Sequence, residues 1–81
     1  MITSGQIKAA RALLGWTAQD LANQSEVGVA TVRRYEMSPA VPKAHLDKLL
    51  KIKTALEGQG IEFTGNPEVN PGVVLHLKPP E

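Results

Sequence analysis

The sequence predicts a mainly α-helical fold of four short helices followed by a C-terminal β-hairpin, and three observations lead to it. Two helix-start signatures stand close together, Thr3 with Gln6 and Thr17 with Asp20, separated by Gly15. Apolar residues then recur three and four apart as far as Leu56. Beyond Gly58 the apolar spacing changes to every second residue, which is the period of a strand.

Size bounds the rest. The 81 residues hold one domain with a modest core, leaving no room for a separate catalytic domain. Apolar residues make up 42% of the chain and only Trp16, Tyr35 and Phe63 are aromatic, so aliphatic helix packing is expected to dominate. No cysteine is present, which removes disulfides and thiolate metal sites and fits a reducing cytoplasm. No basic flank leads into an apolar run at the N-terminus, and no stretch approaches the roughly twenty apolar residues that span a bilayer. The expectation is a soluble cytoplasmic protein without membrane contact. A net charge of +1 argues against a polybasic binder, although a local basic surface can still act.

Helix 1 is predicted from Ser4 to Leu14, started by Thr3 and Gln6 and carrying Ile7, Ala10, Leu13 and Leu14 at helical spacing. Gly15 can take the left-handed conformation that ends it. Thr17 caps the next helix, with Asp20 a shorter partner than the usual Glu, and Trp16 is placed to staple onto Leu21. Helix 2 continues through Leu21 and Ala22 to about Gln24, and Ser25 to Gly28 read as a tight turn. Helix 3 begins at Val29, with Val32 and Tyr35 on one face and Ala30, Arg33 and Arg34 on the other. The stretch from Met37 to Pro42 contains two prolines and reads as non-helical. Helix 4 is predicted to open at Lys43 and end at Gly58, with Leu46, Leu49, Leu50, Ile52 and Leu56 along it.

In the tail, Ile61 and Phe63 alternate with polar residues, and Val73, Leu75 and Leu77 alternate with Val74, His76 and Lys78. The turn formers between them, Gly65 to Gly72, suggest an antiparallel hairpin with a loose loop. An isolated hairpin is marginal in water, so it must pack on the helices or pair with a second chain. Pro79 to Glu81 are expected to fray.

The stretch Thr17 to Glu36, TAQDLANQSEVGVATVRRYE, resembles the helix-turn-helix of the Cro and cI repressor superfamily, also called the XRE family, and the resemblance extends over about Ile2 to Leu56. It implies a lambda-repressor-like domain over residues 1–58, with 59–81 as a hairpin extension of the same domain. It also implies a small residue, Ala22, where the two helices of the motif cross, and an ion pair between Arg11 and Glu36 tying helix 1 to helix 3. Removing one member of such a pair costs about 3 to 5 kcal/mol where it is buried.

The second helix of the motif enters the major groove in such domains. The matching base-facing positions are Val29, Ala30 and Thr31, whose methyl groups suit thymine methyls, and Arg34, whose guanidinium suits guanine N7 and O6. Arg33 is also among the matching positions but is expected to grip phosphate instead, as are Thr17 and Gln19 near the positive end of helix 2 and Lys43 at the opening of helix 4. Two exposed arginines on a helix are ordinarily only a solvated face; the motif around them supplies the reason to read them as DNA-facing.

Two departures from the family pattern stand out. Ala18 replaces a glutamine that commonly touches the DNA backbone. Glu26 occupies a turn position where glycine is usual, at a cost of about 1 kcal/mol if the backbone there is left-handed, and its charge would face phosphate.

His45 and His76 are far apart and lack clustered carboxylates, so no metal site is expected. No phosphate-cradling loop, nucleophile elbow or zinc-protease pattern is present, so neither enzymatic activity nor a cofactor is expected. The resulting expectation is a sequence-specific double-stranded DNA-binding regulator of transcription, repressor-like, from a bacterium or mobile element. It would be nucleoid-associated when bound, reading a two-fold operator as a homodimer joined through the hairpin. The competing reading is a helix-turn-helix fold used to bind another protein, such as a transcriptional activator that it sequesters.

Overall fold

A computed structural model describes residues 2–38 and 45–77. Its elements are α1 (Ser4–Leu14), α2 (Ala18–Ser25), α3 (Val29–Met37), α4 (Leu46–Glu57), β1 (Ile61–Thr64) and β2 (Gly72–Leu75). No helix among the described residues is long and apolar enough to cross a membrane.

Both predicted capping boxes close. Gln6 N donates to Thr3 Oγ1 at 3.0 Å while Thr3 N donates to Gln6 Oε1 at 2.8 Å, and Thr17 makes the same reciprocal pair with Asp20 at 2.9 and 3.0 Å. Each box satisfies a backbone donor that the first turn would otherwise leave open. Gly15 ends α1 at φ 69°, and its N–H reaches back to the last carbonyls of that helix. Trp16, half-buried, packs against the core that contains Leu21.

Helix α2 runs one residue past its predicted end, because Ser25 is buried and its Oγ donates to Leu21 O at 2.7 Å. The turn then passes through Glu26 at φ 59°, ψ 35°. This is the left-handed region, and Glu26 is the non-glycine residue found there among those described. Its N–H closes α2 on Ala22 O, and Val27 follows into the core.

Three expectations need correction. Met37 belongs to α3, not to the following loop; the helix stops at Ser38, whose extended backbone (φ −70°, ψ 144°) is what a residue preceding proline favours. The stop thus falls next to Pro39. Helix α4 opens at Leu46, not Lys43, since His45 is extended (φ −67°, ψ 125°), and Asp47 supplies negative charge to its first turn. The second strand ends at Leu75; Leu77 lies beyond it and is 81% exposed.

The core is aliphatic with one aromatic at its centre. Ile7 and Ala10 of α1, Leu21 of α2, Val32 and Tyr35 of α3, and Ile52 and Leu56 of α4 are all essentially inaccessible. Ala22 of α2 is also buried in this core, and a larger side chain there would overpack the interior.

The hairpin lies on this helical body. Its antiparallel register pairs Ile61 with Leu75, Glu62 with Val74, Phe63 with Val73 and Thr64 with Gly72. Ile61, Phe63, Val73 and Leu75 face the core while Val74 is exposed, the alternation expected of a sheet with one wet face. Strand β2 runs against α1, and β1 touches α4. The connecting loop is not loose. Asn70 Oδ1 accepts from Asn66 N at 2.7 Å and Asn66 Oδ1 accepts from Glu68 N at 2.8 Å. Gly65, at φ 76°, admits no side chain because a Cβ would fall 1.9 Å from Asn70 O.

Gln6 joins the tail to the first helix. Its Oε1 is used in the α1 cap, and its Nε2 donates to Thr64 O at 3.2 Å and Gly72 O at 2.8 Å, one carbonyl from each strand. The buried amide therefore has a partner for its oxygen and for both N–H groups.

Candidate nucleic-acid interface

Helix α3 is two-sided because its sequence is. Val32, Tyr35 and Glu36 point inward and are buried, while Ala30, Arg33, Arg34 and Met37, at helical spacing i, i+3, i+4 and i+7, form an exposed outer stripe. With Ser38 these four residues line one open depression. Neither arginine has an acidic partner among the described residues. The Arg34 guanidinium lies 5.9 Å from the centre of the Tyr35 ring, within the range of a cation–π contact.

The other predicted α3 positions are less free. Val29 and Thr31 are half-buried, and Val29 packs partly against the core, so only part of each side chain faces out. Among the base-facing candidates, Ala30 and Arg34 are the exposed ones.

The start of α2 carries Thr17 and Gln19, both exposed. Thr17 Oγ1 accepts the Asp20 N–H yet keeps its own hydrogen to donate. Gln19 Nε2 donates to Asn23 Oδ1 at 3.0 Å along the helix surface, leaving one amide hydrogen free. The Asp20 carboxylate, bonded to Thr17 N, offsets part of the positive end of the helix dipole at this point. Ala18, half-buried against the core, has no polar group to add. Lys43 lies outside the described residues.

Behind α3, Arg11 makes three bonds. Nε donates to Glu36 Oε2 at 2.8 Å, Nη2 to Glu36 Oε1 at 2.9 Å, and Nη1 to Trp16 O at 2.9 Å. One guanidinium so connects α1, the bend before α2, and the end of α3. The hydrogen bonds to Glu36 raise the Arg11 pKa above its ordinary value, with partial burial opposing and the Glu36 charge assisting. This ion pair faces away from the exposed stripe and holds α3 in position.

Two contributors escape a reading of the sequence. Met37 extends the outer stripe by one more turn, and it is missed because the two following prolines suggest an earlier helix end. The Trp16 carbonyl carries no side-chain signal at all. The histidines stay on the surface: His45 is exposed before α4, and His76 Nε2 meets Glu62 Oε1 at 2.6 Å across the hairpin. No cluster of three metal-binding side chains occurs among the described residues.

Comparison with known families places a helix-turn-helix model on residues 7–57, more than half of the chain. No curated protein matches the chain. The matched span begins in α1 and runs to the last residue of α4, so it contains α2, the Glu26 turn and α3 but not the hairpin.

Proposed function

Because the chain belongs to the Cro/cI-type helix-turn-helix family, we propose that it binds double-stranded DNA sequence-specifically and represses transcription, with α3 lying in the major groove. The observation that carries this reading is the outer stripe of α3, which stands exposed with two arginines that have no acidic partner among the described residues, while the inner stripe is locked in the core. A helix so divided offers a rigid basic edge to a groove lined with acceptors.

Arg34 is assigned to guanine through paired hydrogen bonds to N7 and O6, and Ala30 to a thymine methyl, with the exposed parts of Val29 and Thr31 beside them. Arg33, Thr17, Gln19 and Lys43 grip phosphate and set the register of the helix on the duplex. The contact with Tyr35 leaves Arg34 partly ordered before binding, which lowers the entropy it loses on engagement. Two copies on a two-fold operator, joined through the hairpin, double the small contact area of one domain. Such a protein works at the nucleoid.

The test is selection from a random duplex pool at low salt, with an Arg33→Ala/Arg34→Ala double variant as control. Enrichment of a symmetric motif by the unmodified protein alone supports the reading. A folded sample that enriches nothing favours the second reading, a protein-binding module, for which the exposed Val74 and Leu77 of the tail and the acidic Glu26 in the turn of the motif speak. Salt separates the two, since phosphate contacts weaken steeply as salt rises and an apolar contact does not.

A further inference from the structure

We infer that Ser4 is a positioning residue for DNA recognition: its hydroxyl fixes the angle of α3 and so places Arg34 against its base. This rests on the DNA-binding reading above and adds to it a residue outside the span that matches the helix-turn-helix family.

Ser4 opens α1 and is buried, and its Oγ donates to Ser38 O at 2.7 Å, 34 positions along the chain. A serine at the start of a helix ordinarily bonds to water or to backbone close by; this one spans to the residue that ends α3. Among the described residues no other donor reaches that carbonyl. The Ser38 hydroxyl continues the link, since its Oγ donates to Arg34 O at 3.1 Å. Two hydrogen bonds thus run from α1 to the backbone of the residue assigned to guanine.

Packing of Val32 and Tyr35 holds α3 against the core, but apolar burial has no direction of its own. The Arg11–Glu36 fork joins two side chains, so the α3 backbone can still turn about it. Ser4 grips that backbone directly. The two anchors stand seven residues apart in α1, about 10 Å along its axis at roughly 1.5 Å per residue, and they meet α3 at Glu36 and Ser38. Two separated points fix the crossing of one helix with another, where a single point leaves an angle free. At the other end of α3 Gly28 supplies no side-chain cap. A swing at Ser38 therefore shifts the outer stripe as a whole, Ala30 and Arg34 together.

The test compares two affinities for each variant: for the site that the unmodified protein enriches, and for a scrambled duplex of the same length. A variant that is merely less stable has a smaller folded fraction, which weakens both by one factor and leaves their ratio alone. Ser4→Ala is expected to lower the ratio about tenfold, the worth of one base contact, at the base position that Arg34→Ala relaxes, while the scrambled duplex binds as before. Ser4→Thr, which keeps the hydroxyl, is expected to retain the ratio. Ser38→Ala, whose lost bond to Arg34 lies at the surface, is expected to lower it less and at the same position. It carries the test if circular dichroism shows Ser4→Ala unfolded. An unchanged ratio in folded Ser4→Ala, or in Ser38→Ala where that variant stands alone, overturns the inference and leaves the DNA-binding reading in place. A ratio that falls as far in Ser4→Thr as in Ser4→Ala assigns the effect to packing and overturns it too. If the unmodified protein enriches no site, both readings fall.

Discussion

Arg11 and Glu36 meet as two planar groups joined by a pair of parallel hydrogen bonds, Nε to Oε2 and Nη2 to Oε1, so the contact defines an orientation as well as a separation. Glu36 sits in the last turn of α3 and Arg11 in the last turn of α1, which makes the fork a hinge stop between the scaffold and the exposed helix.

Arg11→Met is expected to cost about 3 kcal/mol in chemical denaturation, because the Glu36 side chain, 8% exposed, would remain buried without its cation. Arg11→Met with Glu36→Leu should lose clearly less than the sum of the single changes. Strict additivity would show that the pair contributes no coupling. Arg11 has its pKa raised in the folded state, so its contribution is complete below the ordinary arginine value and is lost only as pH rises through the folded one. From the Arg11 side, stability should be flat between about pH 5 and 9.

Glu26 combines backbone strain with an unhelpful charge, and two substitutions separate them. Glu26→Gly relieves the positive φ and should raise stability by up to about 1 kcal/mol, the gain being trimmed by the greater freedom of glycine when unfolded. Glu26→Ala keeps the strain and should not. Both remove a carboxylate near the proposed phosphate path, so both should bind duplex DNA more tightly at low salt. Unchanged affinity in both variants would place Glu26 away from the DNA.

Arg34→Ala should cost about 1 to 3 kcal/mol at one base position and relax discrimination there, whereas Gln19→Ala should weaken binding to all sequences alike. Parallel specificity profiles from a selection experiment with each variant check this. Identical profiles for Arg34→Ala and the unmodified protein refute the assignment of Arg34.

Gln6→Leu removes three hydrogen bonds at once and leaves Thr3 N, Thr64 O and Gly72 O to find other partners; a loss of about 2 to 3 kcal/mol is expected. Gln6→Glu retains the acceptor for Thr3 N but turns a carboxylate toward two carbonyls. It should therefore destabilise the hairpin at least as much while sparing the α1 cap. Amide exchange in β1 and β2, compared with that in α1, reads the difference.

What the sequence discloses about this molecule follows from range. The capping boxes are legible because Thr3 and Gln6, or Thr17 and Asp20, lie within one helical turn, and the chemistry that starts a helix is complete within it. Val32 and Tyr35 are legible as core by their spacing alone. The start of α4 is not, because nothing in the residues before Leu46 caps a helix through a side chain, and the apolar pattern alone leaves the boundary open by three positions. Met37 is misplaced for a related reason: a proline restrains the residue before it, Ser38, and not the one before that. The link from Gln6 to the hairpin spans 58 and 66 positions and leaves no trace in local pattern, since the same glutamine already satisfies the capping signature that explains it. On the outer face of α3 the sequence shows which residues are basic, but only the packing shows that Val29 and Thr31 are half withdrawn.

The doubly occupied Gln6 amide has a consequence for how the chain opens. One side chain keys the first turn of α1 to both strands of the tail, so the two ends of the described chain share a lock. Peeling the hairpin away would strip that turn of its cap partner's anchorage, and fraying the turn would unfasten the hairpin. The beginning and the end of the domain should therefore come loose together, as a single opening unit, although almost the whole sequence lies between them.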